Sequence, residues 1–386
     1  MAPTTTQPEA NVWIETDLAA LVANYRQICA QVFPARVSAV VKADAYGLGA
    51  LAVAQTLAMV GCSDFFVADL AEARRLRDGL PVPARLYVLG GLAPGQAAAF
   101  HALGALPVLN SFGQILEWRD FAASLGMRLP AAIQIDSGMS RLGLAPAEVR
   151  RLADHPEIWD SVDPAVVMSH LACADEAGHA ANDEQLARFS ALADGLPATS
   201  RGLANSSGAF LAEGYRAGLV RAGLGLYGGD LGRHAPMMRP VVTVRARVLQ
   251  VREISDGAGV GYGLTHVALG ERRLATVGIG YADGWPRILS GGAGALYAGE
   301  QRLPVVGRIS MDSTIVDITG LAEPLVREGD WLEVVGGRQS LEDVARAART
   351  ISYEVLTQLS RRAHRTYKTN ITALEQIAPP KGVICA

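Results

Sequence analysis

The chain has 386 residues, 50% of them hydrophobic and 19% charged, which is long enough for two domains that each bury a core. A formal net charge of -3 supplies no basic field for nucleic acid or an anionic membrane surface, so a small molecule is the expected partner. The start, "MAPTTTQPEANVWIETD", lacks the charged and apolar regions of a secretory signal, and no later stretch is apolar for a bilayer's width, so a cytoplasmic location is expected. Cys29, Cys62, Cys173 and Cys385 are scattered without a C-x-x-C pair, which suits a reducing compartment.

From the amino end the pattern alternates short apolar runs with Ala/Leu/Arg/Glu-rich stretches of helical period. Strands are predicted at "VSAVVK" (37–42), "DFFVAD" (64–69), "RLYVLG" (85–90), "LPVLN" (106–110), "AAIQID" (131–136), "AVVMSH" (165–170), "GLANSS" (202–207) and "GLVRAG" (218–223), with helices such as "GALAVAQTLAMVG" and "LAEARRLRDG" between them. Eight such units predict an α/β fold, an N-terminal (β/α)8 TIM-type barrel over residues 11–236. An open doubly wound sheet is the alternative, but no G-x-G-x-x-G follows the first strand. After "APMMRP" the text changes to "VVTVRARVLQVREI", "RRLATVGIGY", "LPVVGRISMDSTIVDI" and "DWLEVVGG", with no long helix before "SLEDVARAA". Residues 237–386 are therefore predicted to form a C-terminal mainly β domain.

In a barrel of this kind the chemistry gathers at the carboxyl ends of the strands. Lys42 closes the first predicted strand, Asp136 and "SGMSR" follow the fifth, His170 closes the sixth, Asn205 and Ser206 close the seventh, and "RAGLGLYGG" follows the eighth. Only three of the 35 basic residues are lysines: Lys42, Lys368 and Lys381. A lysine can shed its proton when desolvated and attack a carbonyl to form a Schiff base, whereas a guanidinium stays protonated. A strand-end lysine can also simply extend to solvent in an arginine-biased chain. The glycine-rich turn after the last strand would offer backbone N–H groups to a phosphate, with the Ser206 hydroxyl beside it. A lysine for an aldehyde next to a phosphate cradle suggests pyridoxal phosphate. His170, Cys173, Asp175 and His179 crowd one stretch but match no standard zinc spacing, so no metal is expected.

Motifs along nearly the whole chain resemble those of the bacterial alanine racemases: "AVVKADAYGLG" (39–49), "IDSGMSRLG" (135–143), "SHLACAD" (169–175), "ANSSG" (204–208), "RAGLGLYG" (221–228), "GVGYG" (259–263), "GIGYADGWPR" (278–287), "VGRISMD" (306–312) and "ISYEVLTQLSRRAHRTY" (351–367). The resemblance implies a fold-type III enzyme in which Lys42 carries pyridoxal 5'-phosphate. Tyr46, Ser206, Gly223, Leu224 and Tyr353 would hold the phosphate. Arg141 would contact the ring hydroxyl and the substrate, Arg221 would face the pyridine nitrogen, and His170 and Asn205 would complete the cofactor site. Tyr262 would be a second catalytic base. It would come from the partner in a head-to-tail homodimer, along with Met311 and Tyr281 on the substrate side.

The implied reaction is interconversion of L- and D-alanine, for D-alanine biosynthesis toward peptidoglycan or for alanine breakdown. The chain departs from the family pattern at Gln134, where many relatives have a lysine, often carbamylated, at Leu48 and at Ser310. Gln134 could donate to the chain near Arg141 but brings no negative charge. A serine or broad-specificity racemase, a barrel decarboxylase and a non-catalytic cofactor carrier are the competing readings. Arg221 and "GVGYG" speak against the decarboxylase, and a complete second domain speaks against the carrier.

Overall fold

The computed structural model describes residues 8–369 apart from 82, 198, 199, 323 and 324. The described residues form two compact units, one of Ala19–Arg239 and one that joins the segment up to Leu18 with the chain from Pro240 onward. The first unit is the expected barrel. After helix α1 (Leu18–Val32) its strands are β2 (Arg36–Val40), β3 (Asp64–Val67), β4 (Arg85–Val88), β5 (Ala105–Leu109), β6 (Leu129–Gln134), β7 (Val162–Met168), β8 (Arg201–Gly202) and β9 (Leu219–Ala222).

They pair in parallel in the order β8-β7-β6-β5-β4-β3-β2-β9. The ring closes where Asn205, past the short β8, bridges Arg221 and the Arg221 N–H donates to Ala204 O at 3.0 Å. All residues of β3, β5 and β9 are buried, as expected where helices cover one face of a parallel sheet and the barrel interior the other. Local sequence starts the helices: Asp69 accepts the Glu72 N–H at the head of Leu70–Arg77, and Ser111 accepts that of Gln114 at the head of Phe112–Ser124. Parallel strands put all carboxyl ends at one rim. At the opposite rim, buried Asp64 pairs with Arg36 at 3.2 Å and Arg85 at 2.8 Å.

The β unit is built on β10 (Val242–Ile254). Val242, Val244, Ala246 and Val248 are buried in alternation with half-buried Thr243, Arg245 and Arg247, the period of two that gives a strand one core face. It pairs antiparallel with Arg272–Val277 and Trp331–Val335, with a register shift between Val248 and Gln250. The remaining partner is β1 (Val12–Asp17), which runs antiparallel to β10 and parallel to His364–Lys368. Residues 12–17, which the sequence placed with the barrel, thus belong to the β sheet. Their alternation, with Val12, Ile14 and Thr16 buried, marks a strand but does not say which sheet. The last part of the expected C-terminal domain, from 370, lies outside the described residues.

Candidate functional site at the barrel mouth

Lys42 does not end β2 as expected. The strand stops at Val40, and Lys42 opens a helical turn, Lys42–Tyr46. Ala43, Asp44, Ala45 and Tyr46 all have φ between 52 and 57°, the left-handed region. For non-glycine residues this costs about 1–2 kcal/mol each. Several bonds offset it. Ala45 N–H reaches Val41 O at 2.9 Å, Gly47 N–H reaches Ala43 O at 2.8 Å, Glu72 accepts Ala43 N–H at 2.7 Å, and Asp44 accepts Ala50 N–H at 2.8 Å. The turn leaves Lys42 half-buried and brings Tyr46 into the core, its ring 4.7 Å from that of Tyr227. Burial, and then the charge of Arg141, lower the Lys42 pKa from its ordinary value, while Glu72 opposes them.

Arg221 is buried and faces backbone carbonyls. Its Nη1 donates to Gly202 O at 2.8 Å, and its Nη2 to Ser169 O and, at 3.5 Å, to Leu203 O. Nη2 also lies 3.4 Å from His170 Nδ1. A guanidinium has only donors, so Nδ1 is the acceptor and the imidazole proton sits on Nε2. Burial, with Arg221, Arg141 and Lys42 nearby, pushes the His170 pKa down to about 3, which agrees with a neutral ring. Arg221 itself is pushed down to about 10 by burial, still protonated at neutral pH. Among the described residues no carboxylate pairs with it. A buried cation facing only dipoles is incomplete without a ligand.

The turn after β9 brings Ser206 and the glycine-rich segment together, with two of its N–H groups engaged by the serine. Ser206 Oγ accepts the N–H groups of Gly223 at 2.8 Å and Gly225 at 3.2 Å. Leu224 begins the helical turn Leu224–Tyr227, where a first N–H has no partner within the turn. A Cβ on Gly223 would fall 2.6 Å from the Tyr46 hydroxyl oxygen, so only glycine lets these groups converge. Asn205 braces the segment, its Oδ1 accepting Gly208 N–H at 2.9 Å.

Arg141 is exposed and, among the described residues, makes neither an ion pair nor a side-chain hydrogen bond. Its loop is wound around Asp136, whose Oδ1 accepts the N–H groups of Gly138, Met139 and Ser140 at 2.8, 3.0 and 3.1 Å. Gln134 donates to Leu142 O at 3.1 Å, the contact expected of an amide at this position. Lys42, Arg141, His170 and Arg221 are coupled electrostatically, and Glu72 is the acid that acts on Lys42. Such a rim fits an anionic, phosphate-bearing aldehyde and a substrate with a carboxylate.

The other expected site residues lie on the β unit. Tyr262 is 69% exposed, Met311 53%, Tyr281 44% and Tyr353 39%. Tyr353 sits on helix Ser352–Thr357, and Tyr281 opens the turn Tyr281–Asp283. Among the described residues no group of three or more His, Cys, Asp or Glu could hold a metal. His179, from the crowded 170–179 stretch, instead caps helix Ala180–Ala193 through the Ala181 N–H at 3.2 Å. No helix is long and apolar enough to cross a membrane among these residues.

Family models described as "Alanine racemase, N-terminal domain" and "Alanine racemase, C-terminal domain" match residues 16–230 and 241–367. The catabolic alanine racemase of Rhizobium johnstonii is 49% identical over 361 residues, 93% of this chain and 95% of that one. The alanine racemase of Brucella canis is 48% identical over 365 residues, 91% and 92% of the two chains. Among solved structures, alanine racemase from Bartonella henselae with covalently bound pyridoxal phosphate aligns with a TM-score of 0.89 at 42% identity, covering 93% of this chain and 100% of that one.

Proposed function

The chain belongs to the alanine racemase family, and from that premise we propose that it interconverts L- and D-alanine with pyridoxal phosphate through two bases, Lys42 and the partner subunit's Tyr262. The observation that carries this reading is Lys42 itself. The one lysine before residue 368 opens a turn at the barrel mouth and is biased toward its neutral, nucleophilic form.

Bound there, the cofactor would supply an electron sink that makes the substrate Cα proton acidic. Ser206, Gly223, Leu224 and Tyr46 would hold its phosphate, joined by Tyr353. Arg221 keeps its proton at neutral pH and would present a donor to the pyridine nitrogen without protonating it. That would limit electron withdrawal and so favour return of the proton over decarboxylation or transamination. His170, neutral and with Nδ1 occupied, braces Arg221. Arg141 would meet the ring hydroxyl and the substrate carboxylate, with Met311 and Tyr281 shaping the substrate side.

Racemisation needs a base on one face of Cα and an acid on the other. The Lys42 amine serves one face and the partner's Tyr262 the other, and the roles exchange with direction. A site made from two copies requires a homodimer, and the exposed Tyr262, Met311 and Tyr281 are the surface such an assembly would cover. The small-molecule chemistry and net charge support a cytoplasmic enzyme. It would supply D-alanine to peptidoglycan or feed alanine breakdown, depending on the direction of flux.

The test is chiral analysis of L-alanine incubated with the purified protein in deuterated buffer, beside a Lys42→Ala variant and L-serine. D-alanine carrying deuterium at Cα, slower turnover of serine and an inactive variant are expected. Retention of hand and proton by alanine overturns the reading, and faster turnover of serine reassigns the substrate.

A further inference from the structure

Helix Ala180–Ala193 sends Gln185 inward, 3% exposed. Its Oε1 accepts the Ala172 N–H at 2.8 Å, and its Nε2 donates to His170 O at 2.9 Å and to Ser137 Oγ at 3.4 Å. Ser137 Oγ lies 2.7 Å from Ser169 Oγ, which donates to Ile135 O at 2.7 Å. Because the Ser169 proton is committed to Ile135, Ser137 donates to Ser169, and the chain of bonds has one direction: Gln185 to Ser137 to Ser169 to Ile135. The side chains in it are almost completely buried. One turn along the helix, Arg188 donates to Ser137 O at 3.2 Å.

Ser137 lies on the loop after β6 that leads to Arg141, and Ser169, His170 and Ala172 lie on the loop after β7. One amide therefore fastens two successive loops of the mouth. The second loop also supplies the Ser169 carbonyl and the His170 ring that face Arg221. We propose that Gln185 is a positioning residue for the reaction, setting the Arg141 loop against the His170 loop and thereby the orientation of Arg221. The roles of those cations rest on the proposed function. An amide is needed because the site presents both an N–H and a C=O. A carboxylate cannot donate to His170 O, and a thioether satisfies neither group.

The experiment compares holoenzymes of the parent, Gln185→Met, Gln185→Glu and Asp64→Asn by KM and kcat for alanine, the visible absorption of bound pyridoxal phosphate, and Tm. Asp64 lies at the far rim of the barrel, so Asp64→Asn should lower Tm while leaving KM and absorption at parental values. Gln185→Met should raise KM about tenfold and shift the absorption maximum, because small displacements of positioning groups are costly. Parental KM and absorption in Gln185→Met, or the same changes in Asp64→Asn, overturn the proposal.

If Gln185→Met does not fold, Gln185→Glu decides. Its carboxyl can donate to His170 O only when protonated, so KM should approach the parental value at low pH and climb as pH rises. A KM that follows the parental pH profile overturns the proposal. Should the parent not racemise alanine, the proposed function fails, while the cofactor absorption of the variants still tests Gln185.

Discussion

The Arg362 guanidinium meets the Asp283 carboxylate side-on, with Nε 2.6 Å from Oδ1 and Nη2 2.9 Å from Oδ2. Nη2 also reaches Asp312 Oδ1 at 2.6 Å, and Asp283 Oδ2 accepts the Gly280 N–H at 3.0 Å. Around this pair the Tyr281 N–H donates to Ser310 O at 3.2 Å, the Ala282 N–H to Met311 O at 3.0 Å, and the Ser360 N–H to Asp283 O at 3.2 Å. A Cβ at Gly280 would fall 2.3 Å from Met311 O. One ion pair thus ties the Tyr281 turn and the Met311 loop to the segment that follows the Tyr353 helix.

Asp283 is buried and Asp312 exposed, so the two ends of this network should respond differently. Arg362→Met leaves a buried carboxylate with little compensation and should cost the β unit about 2–4 kcal/mol. Asp312→Ala removes an exposed partner and should cost less than about 1 kcal/mol. Urea unfolding of both variants checks this, and equal losses would show that burial of Asp283 is not the controlling factor.

Lys42→Arg keeps the positive charge but removes an amine that can become neutral. Activity should fall by at least about 10³-fold, since loss of a nucleophile and base removes several kcal/mol of transition-state stabilisation. The purified variant should also lack the covalent cofactor's visible absorption. Spectra and initial rates settle it, and a yellow, active Lys42→Arg would remove Lys42 from the mechanism.

The proposed sharing of sites between subunits is tested by a mixing experiment. Lys42→Ala and Tyr262→Phe should each be nearly inactive alone. After dissociation and reassociation in equal amounts they should recover about a quarter of parental activity, because half the dimers are then hybrids with one intact site each. No recovery despite demonstrated exchange would mean that both groups come from the same chain.

His170 gives a pH dependence with a definite sign. In the unfolded chain it titrates near 6.5, in the folded protein at about 3. Between those values the unfolded chain binds more protons, so stability rises with pH and is lost on acidification, by at most about 1.4 kcal/mol per pH unit. Unfolding free energies of the parent and His170→Gln, compared near about pH 7 and about pH 4, should show a steeper acid loss in the parent. Parallel curves would exclude His170 as a source of the loss.

The close approach of Gly223 and Tyr46 predicts a cofactor defect. Gly223→Ala should lower affinity for pyridoxal phosphate about tenfold or more, as the new methyl displaces the tyrosine from the cradle. Tm of the cofactor-free protein should also fall, because the methyl crowds two buried residues. Equilibrium dialysis provides the measurement, and unchanged affinity would place the phosphate elsewhere.

The sequence by itself determined the barrel, because eight apolar runs spaced by helical stretches have few other ways to be buried, and it gathered Lys42, His170, Ser206 and Arg221 toward the carboxyl ends of the strands, although Lys42 opens a turn beyond β2 instead of ending it. It carried the period-two signal of residues 12–17 but not their sheet. Pairing with residues 242–246 and 364–368 is a long-range choice that local pattern does not encode. The left-handed turn after Lys42 was likewise hidden, since four successive residues at φ above zero are not signalled by "ADAY" and bonds from Glu72, Asp44 and neighbouring carbonyls help hold them there. Gln185 and Arg362 were illegible for the same reason. Their meaning lies in which buried donors and acceptors they satisfy, and those partners meet only when distant segments fold together.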